Sequence, residues 1–171
     1  MNFKNAGCTL INYASLNSRE SEMVLRWRNM PQIQKWMYQD HLITSKEHKG
    51  FLKRLKTDRK NSVYLVKRGK DEYIGMISLN NIDSKNRHAY LGIYANPENK
   101  LPGYGSILIN CIKFLAFKKM RLHTLKLEVL RVNDRAHHFY LKHGFKKEGV
   151  LKEFINKNGS WTDVVVMGIT K

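Results

Sequence analysis

The sequence is poor in cysteine and has no long apolar run. Two cysteines in 171 residues, Cys8 and Cys111, and seven histidines show no spacing typical of metal ligands, so no metal site is expected. No apolar stretch approaches the roughly 18 residues that a membrane helix needs, and the first residues lack a signal-peptide pattern. These absences favour a cytoplasmic protein with free thiols and no membrane partner.

Acidic residues are also scarce: 14 Asp and Glu face 31 Lys and Arg, a formal net charge of +17. Such a surface attracts anions, whether nucleic acid, acidic lipid or a phosphorylated small molecule. The basic residues are spread along the chain, and no helix-turn-helix, zinc-finger or RNA-binding aromatic motif is present, so nucleic acid is not favoured as the partner. A lysine-rich proteome is the alternative explanation of the charge.

The apolar periodicity predicts one domain over residues 1–171, of α/β class and α+β type, with a mixed sheet. Seven strands are predicted, over residues 9–13, 63–67, 73–79, 88–94, 125–130, 145–155 and 161–169. Predicted helices begin at Ser18, Pro31 and Thr44 and cover residues 104–120 and 134–143. Gly144 is expected to end the last helix in a left-handed conformation.

A glycine-containing turn, Gly103-Tyr104-Gly105, joins a predicted strand to a predicted helix. Glycine removes the Cβ atom where a ligand approaches the backbone, and a helix start offers unpaired amides and a positive dipole end. This arrangement is typical of a phosphate or pyrophosphate site, although a plain turn is an open alternative. The turn matches neither a P-loop nor the dinucleotide fingerprint.

A second motif, Asn133-x-x-Ala136-x-x-x-Tyr140-x-x-x-Gly144-Phe145, follows a predicted strand. Together with Lys100-x-x-Gly103-x-Gly105, it resembles the GNAT superfamily of acetyl-CoA-dependent N-acetyltransferases. The resemblance implies a GNAT fold, with a mixed, mostly antiparallel seven-stranded sheet and helices on both faces. It also implies an acetyl-CoA-binding core over residues 87–145.

By this resemblance acetyl-CoA is the acetyl donor, and its pantetheine arm lies where strand 88–94 parts from strand 125–130. Lys100 departs from the Gln or Arg usual at the start of the turn, but the backbone amides matter more than that side chain. The implied cofactor-binding residues are Leu91, Ile93, Tyr94, Lys100, Gly103, Tyr104, Gly105, Ser106, Asn133 and Tyr140.

Acetyl transfer to an amine needs a base to deprotonate the nucleophile and an acid to protonate the departing sulfur. Tyr140 occupies the family's position for the acid; packing on the sheet is the alternative role. Glu128 is the candidate base, acting through a water, because it alternates away from the apolar face of its strand. Pairing with a surface lysine is the alternative. Ser78, with Asn80 and Asn81, is expected to hold the water.

A narrower group is resembled by the segments Leu25-Arg26-Trp27-Arg28-Asn29 and Gln34-Lys35-Trp36-Met37, with His48 and Phe51-Leu52. This group includes ribosomal-protein N-terminal acetyltransferases and, more similar still, the nucleotide-sugar N-acetyltransferases of flagellin glycosylation. That resemblance implies that the helices before residue 60 bind the acceptor, the 4-amino group of a UDP-linked 4-amino-4,6-dideoxy sugar on the pathway to pseudaminic acid. The implied substrate-binding residues are Arg28, His48, Trp36, Tyr38, Phe51, Asn80 and Asn81.

Alternatives remain open for these residues and for the function. The aromatic residues are equally suited to core packing, and Arg28 and His48 to surface ion pairs. An acetyltransferase for protein N-termini, of the ribosomal-protein type, would require acidic groups, and residues 26–52 supply only Asp40 and Glu47. A non-catalytic anion-binding module is a further alternative for the function. For the assembly, the sequence leaves a homodimer open.

Overall fold

The computed structural model describes residues 2–99 and 101–171, so the predicted role of Lys100 lies outside the described residues. Within those residues, eight strands form one sheet in the order β1-β2-β3-β4-β5-β6-β8-β7. They are β1 Phe3–Asn5, β2 Cys8–Asn12, β3 Ser62–Arg68, β4 Glu72–Asp83, β5 His88–Ala95, β6 Thr124–Leu130, β7 Lys146–Lys157 and β8 Ser160–Thr170. All neighbouring strands are antiparallel except β5 and β6.

In the described chain, three α-helices lie between β2 and β3, and two more follow β5 and β6. They are α1 Ser18–Asn29, α2 Pro31–Gln34, α3 Ser45–Leu55, α4 Tyr104–Lys113 and α5 Asp134–Lys142; α4 continues as a π-helical segment, Phe114–Lys119. Capping boxes at Asn17 and Thr44 begin α1 and α3. Across the described part of the chain, no helix has both the length and the apolarity that crossing a membrane requires.

The predicted mixed, mostly antiparallel sheet with helices on both faces is confirmed, but two details differ. The strand count is eight because the three-residue β1 forms an edge hairpin with β2, too short to give a periodic signal. The cap of α1 is Asn17 and not Ser18; the Asn17 side chain accepts the amide hydrogen of Glu20. Gly144 ends α5 with a φ of 84°, as predicted.

The sheet separates two hydrophobic cores. On one face α4 and α5 pack against the sheet, where Leu108 and Tyr140 contribute to the core. On the other face α1 and α3 bury Trp27 and Leu55 against the strands, together with Tyr94 of β5. Because side chains alternate along a strand, consecutive residues of one strand reach opposite cores.

Strands β5 and β6 pair over three residues only. Their parallel register joins residues 88–90 to residues 124–126 and then stops, while β6 stays paired with β8 as far as Leu130. Beyond Tyr90, no strand of the described residues lies beside the edge of β5 that faces β6. The sheet is therefore split between these strands, as the family resemblance implied.

Candidate active site

The loop before α4 ends at Gly103, which has a φ of 88° and is the N-cap of the helix. This left-handed conformation is easily adopted by glycine and is strained for other residues. The first amides of α4 have no intrahelical partners, and the helix dipole adds positive charge there. Ser106 lies in the same turn, with its hydroxyl 3.2 Å from Nε2 of His143. This helix start therefore fits the phosphate groups of a cofactor.

Gly105 is also required for the packing of two helices. A Cβ atom on Gly105 would lie 2.9 Å from Cε2 of Phe139, so glycine here lets α5 pack closely on α4. The side chain of Tyr104 is buried, and its hydroxyl donates to Glu72 at 3.0 Å. Only the backbone of Tyr104 is therefore available to an anion at the helix start.

A cavity of about 250 Å³, here called the small cavity, lies where β5 parts from β6. It joins the exposed edge of β5 to the starts of α4 and α5. Its lining residues are Ile93, Tyr94, Ala95, Gly105, Leu108, Asn133, Arg135, Ala136, Phe139 and Tyr140. The predicted Leu91 does not line it, because its side chain is buried in the core beneath α4; its backbone remains on the strand edge.

Tyr140 faces the small cavity from α5 and is almost fully buried. The rings of Phe139 and Phe145 contact it edge-on, with centroids 5.3 and 5.7 Å away. Burial raises the pKa of the Tyr140 phenol well above its ordinary value of 10, so the group keeps its proton at neutral pH. Asn133 caps α5 by accepting the amide hydrogen of Ala136 at 3.2 Å. The cavity thus contains a buried proton donor.

A second cavity of about 760 Å³, the large cavity, lies on the opposite side of the sheet among α1, α3 and β3–β5. It is lined by Tyr13, Val24, Arg28, Gln39, Ile43, Lys46, Glu47, His48, Gly50, Phe51, Arg54, Val63, Met76, Ser78, Asn80 and Tyr94. Tyr94 lines both cavities. The two spaces therefore approach each other through the split in the sheet.

Ser78 and Asn80 form a polar strip on the floor of the large cavity. The amide of Asn80 donates to Oγ of Ser78 at 3.0 Å. Gly92, opposite Ser78 on β5, makes room for that hydroxyl, because a Cβ atom there would lie 2.5 Å from it. The predicted Asn81 lies elsewhere: it is exposed at the irregular end of the β4–β5 pairing, with a φ of 52°.

Two buried polar atoms in the large cavity have no hydrogen-bond partner among the described residues. They are the hydroxyl of Tyr13 and Nε2 of His48. Burial raises the pKa of Tyr13 and lowers that of His48, so both groups are neutral at pH 7. An unpaired buried polar atom is costly, so these atoms are available to a polar ligand or to water; the Tyr13 hydroxyl also has that of Tyr94 as a neighbour. Tyr13 was predicted at the end of a strand and not as a residue of the site; it instead begins a 3-10 turn after β2.

The charged groups of the large cavity are mostly positive. Arg28, Lys46 and Arg54 line it, and Glu47 is the single acidic group of its lining in the described chain. The carboxylate of Glu47 already accepts hydrogen bonds from the backbone and the hydroxyl of Thr44, each at 2.7 Å. Burial lowers the pKa of Arg28, whose guanidinium donates to the neutral Gln39 side chain at 3.0 Å. The cavity is therefore suited to an anion.

Glu128 lies on the same side of the sheet as the large cavity. Its neighbours Leu127 and Val129 are buried in the core beneath α4, so Glu128 points the other way, as predicted. Glu128 accepts a hydrogen bond from the hydroxyl of Tyr38 at 2.8 Å. Neither residue lines either cavity, and nor does Trp36, whose ring contacts the ammonium of Lys35 at 4.9 Å.

A split sheet beside a glycine-capped helix start, with a buried tyrosine in the gap, is the arrangement of an acyl-CoA-dependent transferase. The family model of the acetyltransferase (GNAT) domain matches residues 14–166. The chain therefore belongs to the GNAT family of acetyltransferases. It is an enzyme, and acetyl-CoA is its acetyl donor.

Relatives include the acetyltransferase PseH of Campylobacter jejuni, which is 36% identical over 136 residues, 80% of this chain and 83% of the relative. The crystal structure of Campylobacter jejuni PseH with acetyl coenzyme A has a TM-score of 0.72 and 29% identity, covering 96% of this chain and 99% of that one. Spermidine N-acetyltransferase from Vibrio cholerae, solved with CoA and spermine, has a TM-score of 0.87 and 26% identity, covering 97% and 96%.

Proposed function

We propose that this enzyme acetylates the 4-amino group of a UDP-linked 4-amino-4,6-dideoxy sugar, on the pathway to pseudaminic acid for flagellin glycosylation. The observation that carries the proposal is the cationic large cavity, which meets the small cavity at Tyr94. Its volume of about 760 Å³ lies within the range of about 300–1,000 Å³ usual for small-molecule sites. The similarity to PseH supports the same choice.

The charge of the large cavity argues against a polyamine, although a spermidine acetyltransferase is also similar. A polyamine carries several ammonium groups, and its site needs free carboxylates. The lining instead supplies Arg28, Lys46 and Arg54, with one acid, Glu47, that caps a helix. An N-terminal acetyltransferase of the ribosomal-protein type is the alternative function, but the positive charge of the cavity opposes a peptide's terminal ammonium for the same reason.

Within the large cavity, Arg28 is suited to the diphosphate, because a guanidinium grips phosphate oxygens with two parallel hydrogen bonds. Phe51 offers an aromatic face to the uracil or to the 6-methyl group of the sugar. The unpaired atoms of Tyr13 and His48 are available to polar groups of the nucleotide. An anion held in this way would bring its amine toward Tyr94 and the split in the sheet.

The proposed reaction is direct attack in a ternary complex. Acetyl-CoA supplies the acetyl group as a thioester. Glu128 takes a proton from the acceptor ammonium through a water near Ser78 and Asn80, which leaves a neutral nucleophile. Tyr140 donates its phenolic proton to the departing sulfur, so that CoA leaves as a thiol. As the amide forms, the nitrogen loses a second proton, which restores the Tyr140 phenol through water, and Glu128 releases the first proton to solvent.

The acceptor is tested by supplying the purified enzyme with acetyl-CoA and the UDP-amino sugar, spermidine or peptides, and by following thiol release. We expect turnover with the nucleotide sugar. Arg28→Met should raise the KM of the nucleotide sugar at least about tenfold, because a hydrogen bond to a charged group contributes about 1.5–3 kcal/mol. The KM of acetyl-CoA should not change. Arg26→Met is the matched control, because Arg26 lies on the same helix but pairs with Glu98. Turnover of spermidine or peptides alone would contradict the proposal.

A further inference from the structure

Lys157 connects the last hairpin of the chain to the end of α2. It is the final residue of β7, before the two-residue turn Asn158-Gly159, whose φ values of 51° and 80° are typical of a tight hairpin. Its ammonium donates to the backbone carbonyls of Gln34, Lys35 and Met37 at 3.0, 2.9 and 2.9 Å. A lysine has three N–H donors, so all of them are used.

The segment that Lys157 contacts is a short helix followed by one turn. Helix α2 is four residues long, and the carbonyl of Gln34 also accepts the amide hydrogen of Met37 at 3.0 Å. A cation at a helix end satisfies such carbonyls and interacts favourably with the dipole. The contacts with Lys157, which is more than 100 positions away in sequence, therefore fix the backbone of residues 34–37 against the β7–β8 hairpin.

Tyr38 follows this fixed segment directly, and its hydroxyl donates to Oε2 of Glu128 at 2.8 Å. Burial, together with the neighbouring Glu128 carboxylate, raises the pKa of Tyr38 well above its ordinary value of 10. The Tyr38 phenol thus remains a hydrogen-bond donor at neutral pH. It occupies one carboxylate oxygen of Glu128 and leaves the other oxygen free to accept a proton.

We propose that Lys157 is a positioning residue for acetyl transfer: by holding residues 34–37 it places Tyr38 so that the phenol orients the carboxylate of Glu128. The inference rests on the proposed role of Glu128 as the base. Lys157 itself touches neither cavity, since it is absent from the lining of both. Its effect on turnover therefore passes through Tyr38.

A double-mutant cycle tests whether Lys157 acts through Tyr38. Lys157→Met and Tyr38→Phe should each lower kcat about tenfold, the scale on which directly coupled neighbours interact, with the KM of acetyl-CoA unchanged. The double variant should lose no more than either single variant. Lys146→Met, an exposed lysine on the same strand, is the control and should keep full activity. Losses that multiply in the double variant would overturn the inference.

A second measurement needs no acceptor substrate, so it separates this inference from the proposed function. Tetranitromethane nitrates tyrosine through the phenolate, and mass spectrometry reads the rate at Tyr38 alone. If Tyr38 leaves its place beside Glu128, its pKa should fall, because burial and the Glu128 carboxylate are what raise it. Each unit by which the pKa falls raises the phenolate fraction of Tyr38 about tenfold. Lys157→Met should therefore speed nitration of Tyr38 severalfold, whereas Lys146→Met should not.

The milder Lys157→Gln serves if Lys157→Met does not fold, and hydrogen exchange at residues 35–38 should accelerate in either variant. Unchanged nitration and exchange would refute the positioning role even in an active enzyme. If the UDP-amino sugar is not turned over but Tyr38 responds to Lys157, the proposed acceptor is wrong and the positioning contact stands.

Discussion

Replacing Tyr140 by phenylalanine removes one oxygen atom from the small cavity and leaves the packing in place. The ring keeps its edge-on contacts with Phe139 and Phe145, at centroid distances of 5.3 and 5.7 Å. No methylene group is lost, so no cavity is created in the core. The variant therefore tests the hydroxyl alone, and its stability should stay close to that of the wild type.

The expected loss in kcat is about 10²–10⁴-fold, the usual contribution of a general acid, which corresponds to about 3–5 kcal/mol in the activation barrier. Burial raises the pKa of Tyr140 above 10, so the wild-type phenol stays protonated through pH 9. Ionisation of Tyr140 should consequently produce no fall in kcat between pH 6 and pH 9. The deficit of Tyr140→Phe should be nearly constant over that range.

The measurements are kcat from thiol release and the Kd of acetyl-CoA from titration calorimetry. Tyr104→Phe is the matched control, because it also removes a buried phenolic oxygen, one bonded to Glu72 and turned away from the helix start. The control should keep wild-type kcat. A Tyr140→Phe enzyme with kcat near that of the wild type would exclude the acid role. A parallel loss of acetyl-CoA binding would indicate a structural role instead.

Three further predictions concern other residues of the site. Glu128→Gln should depress kcat most at low pH, where the amine is mainly protonated and most needs a base; an unchanged pH profile would count against Glu128. Gly105→Ala should lower stability by about 1–3 kcal/mol and weaken acetyl-CoA binding, and adding Phe139→Leu should restore both, because the new Cβ would clash with that ring. Burial lowers the pKa of His48 from 6.5, so the unfolded chain is protonated first as pH falls. Urea unfolding should therefore show that wild-type stability declines more than that of His48→Leu between pH 7 and pH 5, and equal declines would refute the assignment.

The elements that carry their own pattern could be predicted from the sequence. Thr44 and Glu47 form the predicted capping box, and Gly144 ends α5 in a left-handed conformation. The glycine turn at Gly103 and the Asn133 cap likewise depend on residues close in sequence. Such features are set by local backbone chemistry, so the conformations of these turns and caps could be predicted from residues close in sequence.

The features that depend on distant packing could not be predicted. Gly105 is set by Phe139 on another helix, and Tyr13 faces the large cavity only because the chain turns there after β2. Asn81 was grouped with Asn80 by adjacency, but an irregular pairing sends it outward. Lys157 has no local signal at all, since its three acceptors lie on the opposite end of the chain.

The net charge of the chain and the charge of its large cavity carry different information. A formal charge of +17 attracts any anion and raises encounter rates, so on its own it does not separate a nucleotide sugar from nucleic acid. Arg28 differs from an exposed surface lysine because it is half-buried, has a neutral partner in Gln39, and lines the same cavity as Tyr13 and His48. A half-buried cation without a carboxylate partner is stabilised by a ligand that supplies the negative charge. The choice of an anionic acceptor therefore depends on this cavity, and removing surface lysines should slow capture without changing which amine is acetylated.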